Sequence, residues 1–104
     1  MPGEQLIYTV RIDFDDAATR DDVLAWLRNR HIKDVLDAGA LQAELVVIDE
    51  VLALDIRYRF ASREAFATYE RDQAPRLRAE GIAFLAGRVA RFTRWTGKSE
   101  SPPA

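Results

Sequence analysis

The segment Asp22-Val-Leu-Ala-Trp-Leu-Arg-Asn-Arg-His-Ile-Lys-Asp-Val-Leu36 has the strongest helical pattern in the sequence and contains its only histidine, His31. Because Thr19 is followed three residues later by Asp22, the helix is predicted to start there, and Gly39 is predicted to end it. Residues four apart share one face of a helix. The face predicted to be buried consists of Val23, Leu27, His31 and Val35, with Leu24 beside them.

Four segments are predicted to form β-strands. Residues 5–14 and 52–60 alternate between apolar and polar side chains, which gives each strand one fully apolar face. Residues 41–49 are rich in Leu and Val, and residues 88–95 alternate less clearly. Residues 96–104, which include Gly, Ser and two prolines, are predicted to be a disordered tail.

A second helix is predicted to begin after Ser62, whose side chain is a good N-cap, with Glu64 near the positive end of the helix dipole. Pro75 lacks a backbone N–H, so we expect a kink or a new helical turn at that point. The helical pattern then continues to Leu85 despite the presence of Gly81.

The predicted order is strand, helix, strand, strand, helix, strand. Two right-handed βαβ crossovers would place both helices on one face of a four-stranded antiparallel sheet, which is the ferredoxin-like fold of the α+β class. Residues 1–95 are therefore expected to form a single domain. The other face of the sheet has no cover from its own chain, yet residues 41–49 are apolar on both faces. A second copy packed on this open face, forming a homodimer of the dimeric α/β barrel type, would explain that pattern.

The composition excludes several classes of protein. The 104 residues include no cysteine, which excludes disulfides, cysteine-held zinc or iron–sulfur clusters, and a cysteine nucleophile. A net charge of −2 argues against nucleic-acid binding, because phosphate binding normally requires a basic surplus. No apolar run is long enough to span a membrane and no signal peptide is recognisable, so we expect a cytoplasmic protein without membrane contact. No nucleotide-binding motif or metal-ligand spacing occurs, so neither a cofactor nor a metal is expected.

Four short pieces of the sequence occur in an order and spacing typical of a known family. They are Leu6-Ile-Tyr-Thr-Val10, Trp26-Leu27-x-x-x-His31-Ile32-x-Asp34-Val35-Leu36-x-Ala38-Gly39, Tyr58-x-Phe60-x-Ser62 and Ala74-Pro75-Arg-Leu77-Arg78. Over about residues 6–95 the chain resembles the bacterial family called domain of unknown function 4286. It departs from the family pattern at Lys33, where relatives often have proline, and at Gln73, where they often have histidine. The resemblance implies a ferredoxin-like subunit of the dimeric α+β barrel group, alongside small monooxygenases, and implies no established activity.

His31 is the first candidate functional residue. One hypothesis makes it a general base, a hydrogen-bond partner of a substrate or a haem ligand at the mouth of a pocket, with Asp34 orienting its ring. The alternative is a half-buried histidine that donates to a backbone carbonyl, which is favoured because a lone histidine without a placed partner is weak support for catalysis. The pocket is predicted between sheet and helices, near His31, Tyr8 and Trp26, although aromatic residues at such positions are more often packing residues.

A group of charged residues is predicted on the open face of the sheet: Arg11, Asp13, Asp55, Arg57 and Arg59. The first and third strands are adjacent in this fold, so these side chains can pair across strands. They would form either an anion-binding cavity or a set of ion pairs that neutralise one another, and the two aspartates favour ion pairs. Arg11, Asp55 and Arg57 are therefore ligand-binding candidates only for a ligand at the dimer interface. A further group of arginines is interpreted as a solvated face: Arg76, Arg78, Arg88, Arg91 and Arg94.

Two hypotheses about function remain open. The first is a small-molecule-binding domain or a cofactor-independent, oxygenase-like enzyme, for which the oxygenase chemistry rests on fold analogy alone. The second is a dimerisation or ligand-sensing module without catalysis. A cavity that contains His31 would favour the first hypothesis, whereas a space filled by Tyr8 and Trp26 would favour the second.

Overall fold

The computed structural model describes residues 4–100. Within that range the chain forms four strands and four α-helices: β1 (Leu6–Phe14), α1 (Ala17–Trp26), α2 (Ile32–Asp37), β2 (Gln42–Val47), β3 (Ala53–Phe60), α3 (Arg63–Asp72), α4 (Ala74–Leu85) and β4 (Ala90–Lys98). The strands form one antiparallel sheet in the order β2-β3-β1-β4. This order and the crossover helices confirm the predicted ferredoxin-like α+β fold.

The core lies between the sheet and the helices. Alternate residues of β1 and β3 point to the helix side, and the most buried of them, Leu54, Ile56 and Phe60, are at most 1% exposed. Burying one such side chain contributes about 1.5–3 kcal/mol to folding. Val23 and Leu27 of the first helical segment and Leu77 of α4 cover them; Val35 of α2 completes the apolar layer. No helix of residues 4–100 lies on the opposite side of the sheet, which we call the open face.

The first helix begins three residues before the predicted position. Asp16 is its N-cap: one carboxylate oxygen accepts from the Thr19 backbone N–H at 2.7 Å and the other accepts from the Thr19 hydroxyl at 3.0 Å. The prediction that Thr19 starts the helix was therefore wrong, because Asp16 supplies a stronger, charged cap. Gly39, with φ of 135°, follows the helical segment as predicted.

A π-helical turn, Leu27–His31, joins α1 to α2 and was not predicted. The spacing of apolar residues fits a continuous α-helix equally well, so the sequence gives no sign of the wider turn. A π-helical turn holds one more residue than an α-helical turn, and such turns occur frequently at functional sites. Here the turn ends at His31.

The second helical region follows the prediction more closely. The Ser62 hydroxyl accepts from the Ala65 backbone N–H at 3.0 Å and caps α3. The helix ends at Asp72, and α4 begins with Pro75 in its first turn. Proline is compatible with that position, because its missing N–H would have no partner there.

β4 extends beyond the predicted strand at its C-terminal end. It runs from Ala90 to Lys98 and pairs with β1 over its whole length. Residues 96–98, which were predicted to belong to a disordered tail, are thus strand residues. Residues 99 and 100 of that predicted tail have no regular secondary structure, and residues 101–104 lie outside the described residues.

Candidate functional site

A cavity of about 290 Å³ lies between the helix side of the sheet and the helices. Its lining is mainly aliphatic and aromatic, and includes Val10, Ile12, Trp26, Leu27, Ile56 and Phe92. Its polar groups are Tyr8, His31, Tyr58, Tyr69, Arg78 and Arg94. An apolar lining with a few polar groups is typical of small-molecule sites, and the volume is near the lower end of their range of roughly 300–1,000 Å³.

Trp26 and His31, which line the cavity, belong to a stack of three rings whose third member, Phe84, does not line it. Trp26 lies between His31, with ring centroids 4.4 Å apart, and Phe84, with centroids 5.0 Å apart. The rings are within 19° of parallel. Gly81 of α4 lies against the same indole, since a Cβ atom added there would be 3.4 Å from it. The structure therefore brings Trp26 and His31 together. Both side chains line the cavity and leave it open.

His31 is partly buried and its Nδ1 atom is buried without a hydrogen-bond partner among the described residues. Neither predicted partner is present: Nδ1 bonds no backbone carbonyl, and the carboxylate of Asp34 instead lies 3.8 Å from Arg30. Burial lowers the pKa of His31 below its usual 6.5, although the charges of Asp34 and Glu80 oppose this. His31 is therefore neutral at pH 7 and can accept a proton or a hydrogen bond.

The side chains of Tyr8 and Arg78 form a polar part of the cavity lining, and Glu70 is bonded to Arg78. Arg78 donates from one guanidinium nitrogen to the Tyr8 hydroxyl at 3.1 Å and to Glu70 at 2.7 Å. Burial raises the pKa of the adjacent Tyr69 to about 12, so its hydroxyl stays protonated at neutral pH. Arg78 and Arg94 both oppose this rise in the pKa of Tyr69, so their charges are close to its hydroxyl.

Arg78 and Arg94 are cavity residues that the sequence interpretation assigned to a solvated face. Arg94 and Phe92 are two residues apart on β4, so they point to the same face of the sheet. The partner of Arg94 on β1 is Val10, and both line the cavity, so this face is the helix side. This spacing was present in the sequence and could have identified Arg94. Arg88 and Arg91 of the same group do pair on the surface, with Asp22 and Asp15, at 2.7 and 2.8 Å.

The remaining candidates lie on the open face, across the sheet from the cavity. Arg11 pairs with Asp13 at 3.2 Å, and Arg57 lies 3.4 Å from Glu44 and 3.7 Å from Asp55. Asp55 is opposite Arg11 in the strand register. Arg11 and Arg57 thus have acidic partners, which matches the ion-pair interpretation, whereas Arg59 donates to Gln5 Oε1 at 2.9 Å and to Ser99 Oγ at 2.8 Å. Asp55 is 7% exposed, and its Oδ1 atom has no hydrogen-bond partner among the described residues.

Residues 4–100 contain neither a metal-ligand cluster nor a helix able to span a membrane. In that part of the chain no three His, Asp or Glu side chains are grouped so as to hold a metal ion. No helix there is long and apolar enough to cross a lipid bilayer.

The fold and the cavity define the class: a ferredoxin-like α+β protein with a space between sheet and helices. Two dimeric ferredoxin-like proteins from uncultured marine organisms are similar, with TM-scores of 0.72 and 0.65 at 13% and 18% identity. The matches cover 96% and 97% of this chain and 98% and 100% of those chains. A monooxygenase from the gene ActVA-Orf6 of Streptomyces coelicolor, solved in complex with the ligand nanaomycin D, has a TM-score of 0.66 at 15% identity, with 97% and 94% coverage. Such low identities establish a shared fold alone, and no curated protein matches the sequence.

The chain belongs to the family described as domain of unknown function (DUF4286), whose model matches residues 5–97. The family resemblance inferred from the sequence is therefore confirmed. The family description assigns no activity, so the cavity itself has to supply the argument for function.

Proposed function

We propose that this protein binds a small, ring-bearing molecule in the cavity between the sheet and the helices. The observation that carries the proposal is an open space of about 290 Å³ in the part of the protein where a core would normally be filled. An apolar cavity of about 150 Å³ holds one benzene ring, so this cavity is large enough for a molecule with two fused rings. His31 and Phe84 cover the two faces of the Trp26 indole, so the stack offers such a molecule the edge of the indole and the ring of His31, which both line the cavity.

The first experiment uses the two tryptophans as reporters. Trp26 lines the cavity, whereas Trp95 lies on the open face and is 47% exposed. In ¹H–¹⁵N spectra, titration with neutral 2-naphthamide should shift the indole signal of Trp26 and leave that of Trp95 in place. The Trp95→Phe variant assigns the two signals, and linear hexanamide tests whether a ring is needed. If only the Trp95 signal moves, or neither does, the proposal is wrong.

A catalytic form of the proposal assigns cofactor-independent oxygenase chemistry to the same cavity. Its support is the neutral, unpartnered His31 and the shared fold with a monooxygenase. His31 would accept the proton of a phenolic substrate such as 1-naphthol, which makes the ring electron-rich enough to react with O₂. One oxygen atom would become the second carbonyl of 1,4-naphthoquinone and the other would leave as water. In this reaction Tyr8 and Trp26 position the ring, while His31 is the catalytic residue.

Oxygen consumption with 1-naphthol tests this chemistry. A general base contributes about 10²–10⁴-fold, so His31→Gln should lower the rate of oxygen consumption by about 10²-fold or more. The control is Lys33→Gln, at an exposed residue paired with Asp37, which should leave this rate unchanged. Binding of 2-naphthamide without any oxygen consumption from phenols would instead indicate a non-catalytic, ligand-sensing module.

The assembly proposed is a cytoplasmic homodimer in which two open faces pack together. Support comes from the exposed Trp95 and the unpartnered Asp55 oxygen on that face, and from the dimeric state of the similar marine proteins. Native mass spectrometry should give the mass of two chains. Thr93→Arg, on the open face, should yield single chains, whereas Thr96→Arg, on the helix side of the same strand, should not. A wild-type protein that stays monomeric at high micromolar concentration would contradict this assembly.

A further inference from the structure

The cavity has two chemically different ends. Gly81 and Phe84 of α4 lie against the Trp26 stack at one end. Arg78 precedes Gly81, the residue of α4 that lines the cavity at the stack, by three residues, which is roughly 4.5 Å along the helix axis. At that other end Arg78 is joined by the Tyr8 hydroxyl, and Arg94 reaches it from β4.

Hydrogen-bond donors remain available at the polar end. Arg78 uses one guanidinium nitrogen, Nη2, for both Tyr8 and Glu70, and its other two nitrogens have no hydrogen-bond partner in the described part of the chain. The Tyr8 oxygen accepts from Arg78, so its own proton is free to be donated. Arg78 and Tyr8 both line the cavity, whereas Glu70, the carboxylate paired with Arg78, does not. The acceptors on the cavity wall are the uncharged side chains of His31, Tyr58 and Tyr69, so the wall itself has no carboxylate for these donors.

The charges at this end leave a positive excess. Glu70 balances Arg78, with which it forms a 2.7 Å ion pair. The guanidinium of Arg94 lies 5.1 Å from the centre of the Phe92 ring, and no carboxylate of residues 4–100 lies within 4 Å of it. Arg94 is exposed to solvent as well as lining the cavity. The cavity therefore opens at this end beside one uncompensated positive charge, which matches an acceptor with a single negative charge.

We propose that the natural ligand is a ring-bearing organic acid, whose carboxylate is bound by Arg94, Arg78 and the Tyr8 hydroxyl while its ring packs against Trp26. This inference rests on the proposed function and adds to it the chemical class of the ligand. The two ends of the cavity then recognise the two ends of one molecule: the arginines select the acid and the ring stack selects the aromatic part.

The test compares two probes of nearly the same shape, 2-naphthoate and the neutral 2-naphthamide, in which an NH2 donor replaces one carboxylate oxygen and removes the charge. Isothermal titration calorimetry of the wild-type protein should give tighter binding of the acid, by about tenfold for a charge-assisted contact. Arg94→Gln should remove that advantage and leave the amide affinity within a factor of about two, since the amide carries no charge. Arg91→Gln is the matched control, because it removes a positive charge from the open face of the same strand.

The outcomes separate this inference from the broader proposal. If the amide binds at least as tightly as the acid, the acid preference is wrong although the cavity is a binding site. If the acid is preferred equally in Arg94→Gln and in wild type, Arg94 does not carry that preference and the assignment is overturned. If neither probe binds, both the proposed binding function of the cavity and its preference for an acid are wrong.

Discussion

Gly81 gives the sharpest prediction, because replacing it with alanine should make the protein more stable and its cavity a poorer binding site. Gly81 lies in the interior of the 12-residue helix α4, where glycine costs about 1 kcal/mol relative to alanine. A Cβ atom at this position would lie 3.4 Å from the Trp26 ring, which is van der Waals contact without a clash. Gly81→Ala should therefore raise the free energy of unfolding by about 1 kcal/mol, equivalent to about 4–8 °C in Tm for a domain of this size.

The same methyl group would enter the space that the ligand occupies. Gly81 lines the cavity, so the added carbon narrows it at the Trp26 stack, where the ring of the ligand is proposed to lie. We expect the affinity for 2-naphthamide to fall by about tenfold, because an overlap of one methyl group in a packed site costs on the order of 1–3 kcal/mol. Stability and binding should thus change in opposite directions.

Urea denaturation followed by circular dichroism measures the stability, and calorimetric titration measures the binding. The matched control is Ala79→Gly, at an exposed position of α4 that does not line the cavity. It should cost about 1 kcal/mol of stability and leave the affinity unchanged. A Gly81→Ala protein that is less stable than wild type, or that binds naphthamide equally well, would refute the reasoning.

Three further predictions concern single side chains. Asp16→Ala removes the N-cap of α1 and should cost about 1 kcal/mol in urea denaturation, as should Ser62→Ala at α3; no loss would refute the capping assignment. The ring protons of His31 should titrate below pH 6.5 by NMR, and stability should decline as the pH falls below that value, because the unfolded chain binds the proton more readily. His31→Gln should abolish this decline in stability. A midpoint of the His31 titration above pH 6.5 would contradict the lowered pKa. Glu70→Gln leaves the charge of Arg78 uncompensated and should tighten 2-naphthoate but not 2-naphthamide binding in calorimetry, whereas unchanged acid binding would contradict the charge balance.

The fold was predictable because its signals are local and repeated. Alternating apolar residues in β1 and β3, the Ser62 cap and the break at Pro75 each specify their element independently of distant contacts. The start of α1 was misplaced because Asp16 and Thr19 are both good caps, and their hydrogen bond to each other decides which one serves.

The candidate site was only partly predictable, because it depends on how elements pack. Tyr8, Trp26 and His31 were grouped correctly around one space, since they point to the helix side of the sheet or to the buried face of a helix. Whether that space is open depends on the π-helical turn and on the distance between α4 and α1, which no sequence pattern encodes. The position of Arg78 and Arg94 at the cavity was missed because a charged residue at the edge of an apolar face is most often solvated, as Arg94 itself is.

A crystal structure of the protein grown with 2-naphthoate tests the central claim most directly, because it locates the ligand atom by atom. We predict density for one molecule between sheet and helices, with its rings against Trp26 and its carboxylate within hydrogen-bond distance of Arg94 or Arg78. Density only on the open face, or side chains of the chain itself occupying the cavity, would contradict the account.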